Sequence, residues 1–191
     1  MDEREQALTE VTESTETVFR GPIFRVEVST VRLPDGKTAR RDVVRHPGAV
    51  CVLPVDRGGN VYLVRQWRAG YRGTMLEIPA GKLDPGENDT REAAERELRE
   101  ETGAIAARMT YLGDYYGSPA ILEERIAMYL AEDLTFGETD FDDDEFLAPV
   151  TMPLDTLVRE VLAGHIPDGK TQVAALRAYC MRRGLPEGTE A

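Results

Sequence analysis

Three glutamates on one predicted helix have the spacing of a cation site. Glu97, Glu100 and Glu101 stand at i, i+3 and i+4, so on an α-helix they fall within an arc of about 100°. Like charges at this spacing repel one another, by roughly 0.2–0.5 kcal/mol per pair at an exposed surface. Arg96 and Arg99 fall elsewhere on the helical wheel, so we expect a hard divalent cation such as Mg²⁺ to neutralise the carboxylates. A solvated, glutamate-rich face is the alternative that the helix alone leaves open.

The helix that carries these glutamates has recognisable ends in the sequence. Asp89 and Glu92 have the spacing of a capping box, and Gly103 stands where helices commonly end. These signals predict a helix over residues 90–102. Leu98 lies on the face next to the glutamates and is expected to pack against a sheet.

Strand-like segments stand on both sides of this helix in the sequence. Alternating or short apolar runs predict strands, and two amphipathic segments near the C-terminal end predict further helices. Because strands and helices are interleaved, the expected class is an α/β sandwich. The predicted strands cover residues 24–28, 38–45, 49–56, 61–67, 75–79, 108–116 and 125–132, and the additional helices cover 154–163 and 171–183.

The composition excludes several classes of protein. The 191 residues include 23 Lys and Arg against 35 Asp and Glu, a net charge of -12, which disfavours the basic footprint that nucleic acid requires. The longest clean apolar run, residues 49–55, is too short for a membrane span, and the acidic N-terminus is unlike a signal peptide. We therefore expect one cytoplasmic domain. Cys51 and Cys180 match no metal spacing and are expected to be buried thiols.

The charge is distributed unevenly along the chain. Residues 132–145 hold eight acids and no base, whereas residues 17–72 hold eleven bases against four acids. A local positive field within an acidic protein suits an anionic small molecule. A strand surface protected by charge is the alternative interpretation of the basic segment.

Two segments closely resemble the halves of the Nudix box. They are residues 81–87 (GKLDPGE) and 96–104 (RELREETGA), and the box is the loop-helix-loop signature of hydrolases that act on nucleoside diphosphates linked to another moiety. Eight residues separate Glu87 from Arg96, where the common pattern has seven. The extra residue most simply enlarges the loop before the helix, which leaves the three glutamates in place and the role of Glu87 open. The resemblance implies a Nudix-type α/β/α sandwich with a mixed β-sheet, plus an N-terminal antiparallel strand extension.

The flanking segments are similar to those of the ADP-ribose pyrophosphatase subfamily. Residues 65–68 and 76–84 look like the segments that precede the box there, and residues 117–119 resemble a proline-containing loop associated with ADP-ribose specificity. Ala120 stands where glycine is usual and Ile121 where an aromatic is common. The resemblance extends over roughly residues 18–183.

The resemblance implies a divalent metal site. Glu97 and Glu101 are the first choice of ligands, Glu100 is shared between ions and assigned to catalysis, and the backbone carbonyl of Ala80 is the family's usual additional ligand. Two or three Mg²⁺ ions, with Mn²⁺ as the alternative, would neutralise the phosphates and help to generate the nucleophile from water.

A catalytic base is expected in the acidic loop. Residues 144–146 resemble the family's base-carrying loop, and Glu145 is the candidate because a flexible loop can bring its carboxylate to the attacking water. Residues 142–144 are rivals, and an ordinary solvated charge run is the plain interpretation of all four.

Substrate contacts are expected from the basic half of the chain and from the proline-containing loop. Arg65 or Arg68 could pair with phosphate in a fork, and Trp67 could stack on adenine, although a strand tryptophan in a core is the alternative. Glu77 could approach a metal or a ribose. The resemblance adds two loop residues, Ser118 and Pro119.

The expected organisation is a frayed acidic arm at 1–16, a β extension at 17–46 that forms a homodimer, a Nudix domain at 47–184 and a flexible tail at 185–191. The dimer rests on the resemblance.

The leading function is metal-dependent hydrolysis of ADP-ribose, and of related ADP-sugars, to AMP and ribose 5-phosphate. Alternatives are another nucleoside diphosphate sugar such as GDP-mannose, a dinucleotide, or an inactive module that senses ADP-ribose. The intact glutamate set argues against the sensor.

Overall fold

The computed structural model describes residues 3–139 and 146–184, which contacts divide into two units. The first unit includes the chain up to Gly48 and the segment Tyr116–Glu124. Its elements are a short helix α1 (Glu3–Gln6) and three strands, β1 (Val11–Arg20), β2 (Arg25–Arg32) and β3 (Thr38–Arg45).

The strands of the first unit form an antiparallel sheet in the order β1-β2-β3. The predicted hairpin is confirmed as β2 and β3, which are joined through a turn at Gly36 with φ 84°. The prediction that residues 1–16 form a frayed arm is wrong for residues 11–16, because they pair along β2 from the Val11–Arg32 position onward. Valine and threonine, which favour strands, are frequent in β1, and all ten of its residues are exposed.

The second unit includes Ala49–Tyr115 and the described residues from Arg125 onward. Its elements are β4 (Ala49–Pro54), β5 (Asn60–Arg68), β6 (Gly73–Glu77), β7 (Ala80–Lys82), α2 (Thr90–Thr102), β8 (Ala104–Tyr115), β9 (Ile126–Phe136), β10 (Ala148–Pro153), α3 (Leu154–Leu162) and α4 (Gly169–Arg182). One sheet has the order β7-β4-β9-β8, with β4 and β9 parallel and the other pairs antiparallel, so the sheet is mixed. A second, antiparallel sheet has the order β10-β5-β6.

The central strand β4 separates two apolar cores. Val50 and Val52 pack into the core beneath α2, whereas Cys51 and Leu53 pack into the core shared with α3 and α4. Successive side chains of a strand point to opposite faces, so a fully buried β4 must be covered on both sides. This layering confirms the α/β/α sandwich and the mixed sheet.

Two features of this unit differ from the sequence expectation. β10 was not predicted, because Pro149 and Pro153 interrupt the strand pattern; β10 is an end strand of its sheet, where proline is tolerated. Both cysteines are free thiols, but only Cys51 is fully buried, and Cys180 is partly exposed. Burial raises the pKa of the Cys51 thiol to about 12.

Candidate active site

Helix α2 positions the glutamate set by fixing both of its ends. The side chain of Asp89 accepts hydrogen bonds from the backbone N–H groups of Arg91 (2.8 Å) and Glu92 (3.3 Å). Gly103 adopts the left-handed conformation, φ 68°, and its N–H donates to the carbonyl of Arg99. The predicted helix over residues 90–102 and its N-cap at Asp89 are therefore confirmed, whereas the place of the extra residue of the box in the preceding loop stays a prediction.

The apolar face of α2 draws two of the three glutamates towards the sheet. Leu98 and its alanine neighbours on the helix are buried in the core beneath α2. As a result Glu97 is 8% exposed and Glu101 is 1% exposed, while Glu100 is only partly buried. Carboxylates in such positions require compensating charge or hydrogen bonds.

Strand β7 lies directly against this acidic face. A Cβ added to Gly81 would overlap the carboxylate of Glu97, so a larger residue at this position would displace the end of the Glu97 side chain. Ala80, the predicted backbone ligand, precedes Gly81 in β7 and pairs with Cys51 of β4. The structure therefore places the main chain at Ala80 beside the helix that carries the glutamates.

Arg96 joins the glutamates, in contrast to the helical-wheel expectation. Its Nη1 donates to Oε1 of Glu97 (2.8 Å) and to Oε2 of Glu100 (3.0 Å), and its Nη2 donates to Oε2 of Glu87 (3.2 Å). The expectation that Arg96 points elsewhere is wrong, because its long side chain carries the guanidinium to the carboxylates of Glu97 and Glu100. Burial opposes the charge of Arg96, but its carboxylate partners outweigh burial and raise its pKa.

Glu87 connects the preceding loop to the helix. Its Oε2 also accepts the backbone N–H of Asp84 (3.0 Å), and this bond, together with Arg96, lowers the Glu87 pKa. The side chain that the sequence left without a role therefore ties the loop, through Arg96, to the glutamate set.

The donor set fits a hard divalent cation that keeps several waters. Glu97, Glu100 and Glu101 offer oxygen ligands, and Mg²⁺ commonly binds proteins through only one or two carboxylates together with substrate phosphates. Within residues 3–139 and 146–184, no three acidic, histidine or cysteine side chains lie close enough together to hold a metal ion. Glu97 and Glu100 are instead bound by Arg96, which would have to release part of these contacts for a cation to bind.

A second ionic group lies at the end of β6, and we call it the Glu77 cluster: Glu77, Arg68, Lys170, Asp168 and Thr171. Glu77 is 1% exposed, and Arg68 grips it in a fork, Nε to Oε1 at 2.8 Å and Nη2 to Oε2 at 2.9 Å. Lys170 Nζ donates to the same Oε2 and to Oδ1 of Asp168 (3.0 Å). Both carboxylate oxygens of Glu77 are thus engaged by cations.

The electrostatics of the Glu77 cluster favour ionised side chains. Burial is the largest single influence on the Glu77 pKa and would raise it, but Arg68 and Lys170 together lower it. Burial also opposes the charge of Lys170, yet the carboxylates of Asp168 and Glu77 raise its pKa. The hydrogen bonds to Glu77 raise the pKa of Arg68, and the charge of Glu101 adds to this effect, so Arg68 lies in the field of the α2 glutamates.

The remaining predicted substrate residues occupy different places. Arg65 and Trp67 are exposed on one face of β5, with Arg68 on the other face. Trp67 is 63% exposed, so the alternative of a core tryptophan is wrong. Ser118 and Pro119 belong to the first unit, where the Ser118 carbonyl accepts the N–H groups of the two residues at 121 and 122. Glu145 and its rivals at 142–144 lie outside the described residues.

Sequence reasoning missed Lys170 and Asp168 as members of the site. Asp168 caps α4 by accepting the backbone N–H of Thr171 (3.0 Å), and aspartate is one of the residues preferred at a helix N-cap. Nothing in the spacing signals the contact between Lys170 and Glu77, which are 93 positions apart. That proximity depends on the packing of α4 under the sheet.

Comparisons with known proteins agree with this architecture. The family model described as NUDIX domain matches residues 44–177, and a model described as nucleoside diphosphate sugar hydrolase N-terminal domain matches residues 10–44. The chain belongs to the Nudix family. No helix in the described part of the chain is long and apolar enough to cross a membrane.

Several relatives extend over most of the chain. An ADP-ribose pyrophosphatase of Bacillus subtilis (strain 168) is 38% identical and covers 88% of this chain and 92% of its own. A methanol dehydrogenase activator of Bacillus methanolicus is also 38% identical, covering 86% and 90%. A GDP-mannose pyrophosphatase of Yersinia pestis (strain Pestoides F) is 33% identical, covering 66% and 68%.

A solved structure supports the same conclusion. The crystal structure of an ADP compounds hydrolase aligns with a TM-score of 0.73 and 26% identity, over 94% of this chain and 98% of that one. With the Nudix domain and the pyrophosphatase relatives, this likeness identifies the chain as a pyrophosphohydrolase.

Proposed function

We propose that this enzyme hydrolyses the pyrophosphate bond of ADP-ribose, and of related ADP-sugars, to AMP and ribose 5-phosphate in a metal-dependent reaction. One observation carries the proposal: α2 holds Glu97 and Glu101 at buried positions, Glu97 against the main chain of β7 and Glu101 with Arg68 in its field. This arrangement combines oxygen ligands for a divalent cation with a guanidinium for phosphate. Relatives named ADP-ribose pyrophosphatase support the choice of substrate.

The glutamates of α2 hold the metal in this proposal. Glu97 and Glu101 are ligands, Glu100 is shared between ions, and the carbonyl of Ala80 completes the protein contribution. When two or three Mg²⁺ ions are bound, with Mn²⁺ as the alternative, they supply charge neutralisation for both phosphates and lower the pKa of water. Arg96 balances the glutamates whenever divalent ions are absent.

The hydrolysis adds one water across the pyrophosphate bridge. A bond forms between the water oxygen and one phosphorus, the bond from that phosphorus to the bridging oxygen breaks, and the bridging oxygen leaves on the other phosphate. We assign the proton of the attacking water to Glu145, which lies outside the described residues. Its position in an acidic loop supports this role.

In this proposal, one set of side chains binds the phosphates and a second set binds the nucleotide and the sugar. Arg68 is held in a fork by Glu77, and its outer part is solvent-accessible, which suits a phosphate contact. Both carboxylate oxygens of Glu77 are bound by Arg68 and Lys170. Glu77 therefore contributes to substrate binding by holding Arg68, and not by contacting a ribose directly. Exposed Arg65 and Trp67 are candidates for the nucleotide, and Ser118 and Pro119 of the first unit are candidates for the sugar side.

A substrate panel tests the proposal. Hydrolysis of ADP-ribose, an ADP-hexose, GDP-mannose and a diadenosine polyphosphate would be compared with Mg²⁺ and with excess chelator. We expect ADP-ribose to have the highest kcat/KM, with AMP and ribose 5-phosphate as products and no turnover in chelator. Faster hydrolysis of GDP-mannose would instead favour the second candidate, which the 33% identical GDP-mannose pyrophosphatase supports. Tight binding of ADP-ribose without turnover would indicate the sensor.

We also propose that the enzyme is a homodimer formed through the first unit. Every residue of β1 is exposed, and large apolar side chains stay accessible at and beyond its end, among them Phe19, Ile23 and Phe24. The rings of Phe19 and Phe24 lie 5.6 Å apart and form one apolar patch. Such a patch commonly marks a contact with another chain, and the second copy is the partner that the family resemblance favours.

A further inference from the structure

Lys170 makes a buried contact to which the proposed function gives no task. The residue is 8% exposed, at the second position of α4, and its ammonium group donates hydrogen bonds to the carboxylates of Glu77 and Asp168. Lysine is rarely buried at this level unless it is paired, because removing an ammonium group from water is unfavourable. A buried lysine so close to Arg68 therefore calls for a specific explanation.

Lys170 balances the charge of Asp168, to which it also donates a hydrogen bond, but this role does not require it to contact Glu77. Arg68 already supplies one positive charge for the one negative charge of Glu77, and it contacts both carboxylate oxygens. A carboxylate held only by Arg68 can still rotate together with the guanidinium as one unit. The bond from Lys170 to Oε2 ties the carboxylate to α4 as well, which restricts that rotation and helps to set the plane of the Arg68 fork.

A second bond from α4 makes this support rigid. The hydroxyl of Thr171 donates to Asp168 and accepts the backbone N–H of Ile78 at 2.9 Å. The first turn of α4 therefore holds the side chain of Glu77 and the main chain of Ile78 at the same time. These residues lead directly into β7, against which Glu97 packs.

We propose that Lys170 is a positioning residue, which orients Arg68 through Glu77 towards the phosphates of the substrate. This inference rests on the proposed function, because it takes Arg68 as the phosphate contact. The ligand that this arrangement suits is an anion with adjacent phosphates. Any nucleoside diphosphate sugar presents two such phosphates to the guanidinium of Arg68, whose direction is already fixed. Pre-orientation lowers the entropy lost on binding, so Lys170 acts mainly on affinity and KM.

A double-mutant cycle between Lys170 and Arg68 tests the proposal. Lys170→Met, Lys170→Arg, Arg68→Ala and the double variant K170M/R68A would be compared in the full-length protein. One measurement is the dissociation constant of a non-hydrolysable α,β-methylene ADP-ribose by calorimetry, and the other is kcat and KM with the best substrate of the panel. We expect K170M to weaken analogue binding about tenfold and to raise KM similarly, with kcat within about twofold. Lys170→Arg should recover most of the affinity.

The coupling decides between positioning and plain stability. If Lys170 acts through Arg68, K170M changes binding less than about twofold when Arg68 is already alanine. An equal loss in both backgrounds would overturn the proposal, as would a fall in kcat at unchanged KM. Arg182→Met is the matched control, because Arg182 also pairs from α4 with a buried glutamate, Glu132, at 2.7 Å. It should lower the unfolding temperature without changing analogue affinity.

A substitute variant and a substitute substrate are available if the first experiment cannot be performed. If K170M does not fold, Lys170→Gln removes the charge while keeping a donor, and it enters the same cycle with the same criterion. If the wild type prefers another nucleoside diphosphate sugar, the substrate proposal fails but the cycle is run with that substrate and its methylene analogue. An additive cycle with ADP-ribose as the preferred substrate would overturn the role of Lys170 alone.

Discussion

Gly81 lies so close to the carboxylate of Glu97 that a Cβ at this position would displace that carboxylate. This contact joins β7 to the acidic face of α2. Gly81→Ala should push Glu97 away and lower kcat/KM by about 100-fold, since a displacement near 1 Å at a reacting centre has that effect. Steady-state kinetics across a Mg²⁺ titration measures it. Gly70→Ala, where a Cβ meets nothing within 4 Å, should keep wild-type activity; equal losses in both variants would contradict the assignment.

Glu101 is the most buried of the three glutamates and is assigned as a metal ligand. Glu101→Gln keeps the shape of the side chain but removes its charge, so kcat should fall about 100-fold or more while the unfolding temperature in chelator changes little. Kinetics and thermal unfolding provide the two measurements. Glu95→Gln, on the exposed side of the same helix, is the control and should retain activity. Retained turnover in Glu101→Gln would refute the metal assignment.

Arg96 and divalent ions compete for the same carboxylates. Arg96→Met should destabilise the metal-free protein by about 1–3 kcal/mol, because Glu97 and Glu100 lose a charged hydrogen-bond donor. Added Mg²⁺ should recover more stability in this variant than in the wild type. Thermal unfolding with chelator and with Mg²⁺ checks the difference. Arg91→Met, which breaks an exposed pair with Glu95, should show no such metal dependence, and an identical response in both variants would exclude competition.

Glu77 should contribute to stability in a pH-dependent way. Its folded pKa lies below the ordinary value of 4.5, so its contribution is present above that value and disappears as the pH falls through the folded pKa. The stability difference between wild type and Glu77→Gln should therefore be largest near neutral pH and shrink below about pH 4.5. Urea unfolding between pH 7 and pH 3.5 measures it. A difference that grows on acidification would contradict the assigned direction.

The apolar patch of β1 should control assembly. Phe19→Asp places a charge in the proposed dimer contact and should shift the protein towards monomer, because burying an unpaired carboxylate is unfavourable. Sedimentation equilibrium at micromolar concentration measures the shift. Thr38→Asp, at an exposed position of β3, should leave the assembly unchanged. A wild-type protein that sediments as a monomer would exclude the dimer outright.

Local signals in the sequence were sufficient for α2 and its glutamates. Asp89 and Gly103 mark the helix ends through contacts within a few residues, and the fixed geometry of a helix then places Glu97 and Glu101 on one face. The layering of β4 was likewise readable from its continuous apolar run. Such features depend only on neighbours in the sequence.

Features that depend on long side chains or distant contacts were not predictable. A helical wheel records the direction of Cβ, but the guanidinium of Arg96 reaches well beyond it and returns to Glu97 and Glu100. The contact between Lys170 and Glu77 exists only because α4 packs beneath the sheet. Both errors concern charged groups, whose partners are set by tertiary structure.

The burial of Cys51 allows thiol labelling to measure how often the central strand β4 opens. Its thiol is inaccessible and its pKa of about 12 leaves almost no thiolate at neutral pH, so a thiol reagent can modify it only when β4 opens. Cys180 is partly exposed and can react from the folded state. The labelling rate of Cys51, with Cys180 as an internal reference, would therefore report how often the sheet between the two cores comes apart, and whether nucleotide binding slows it.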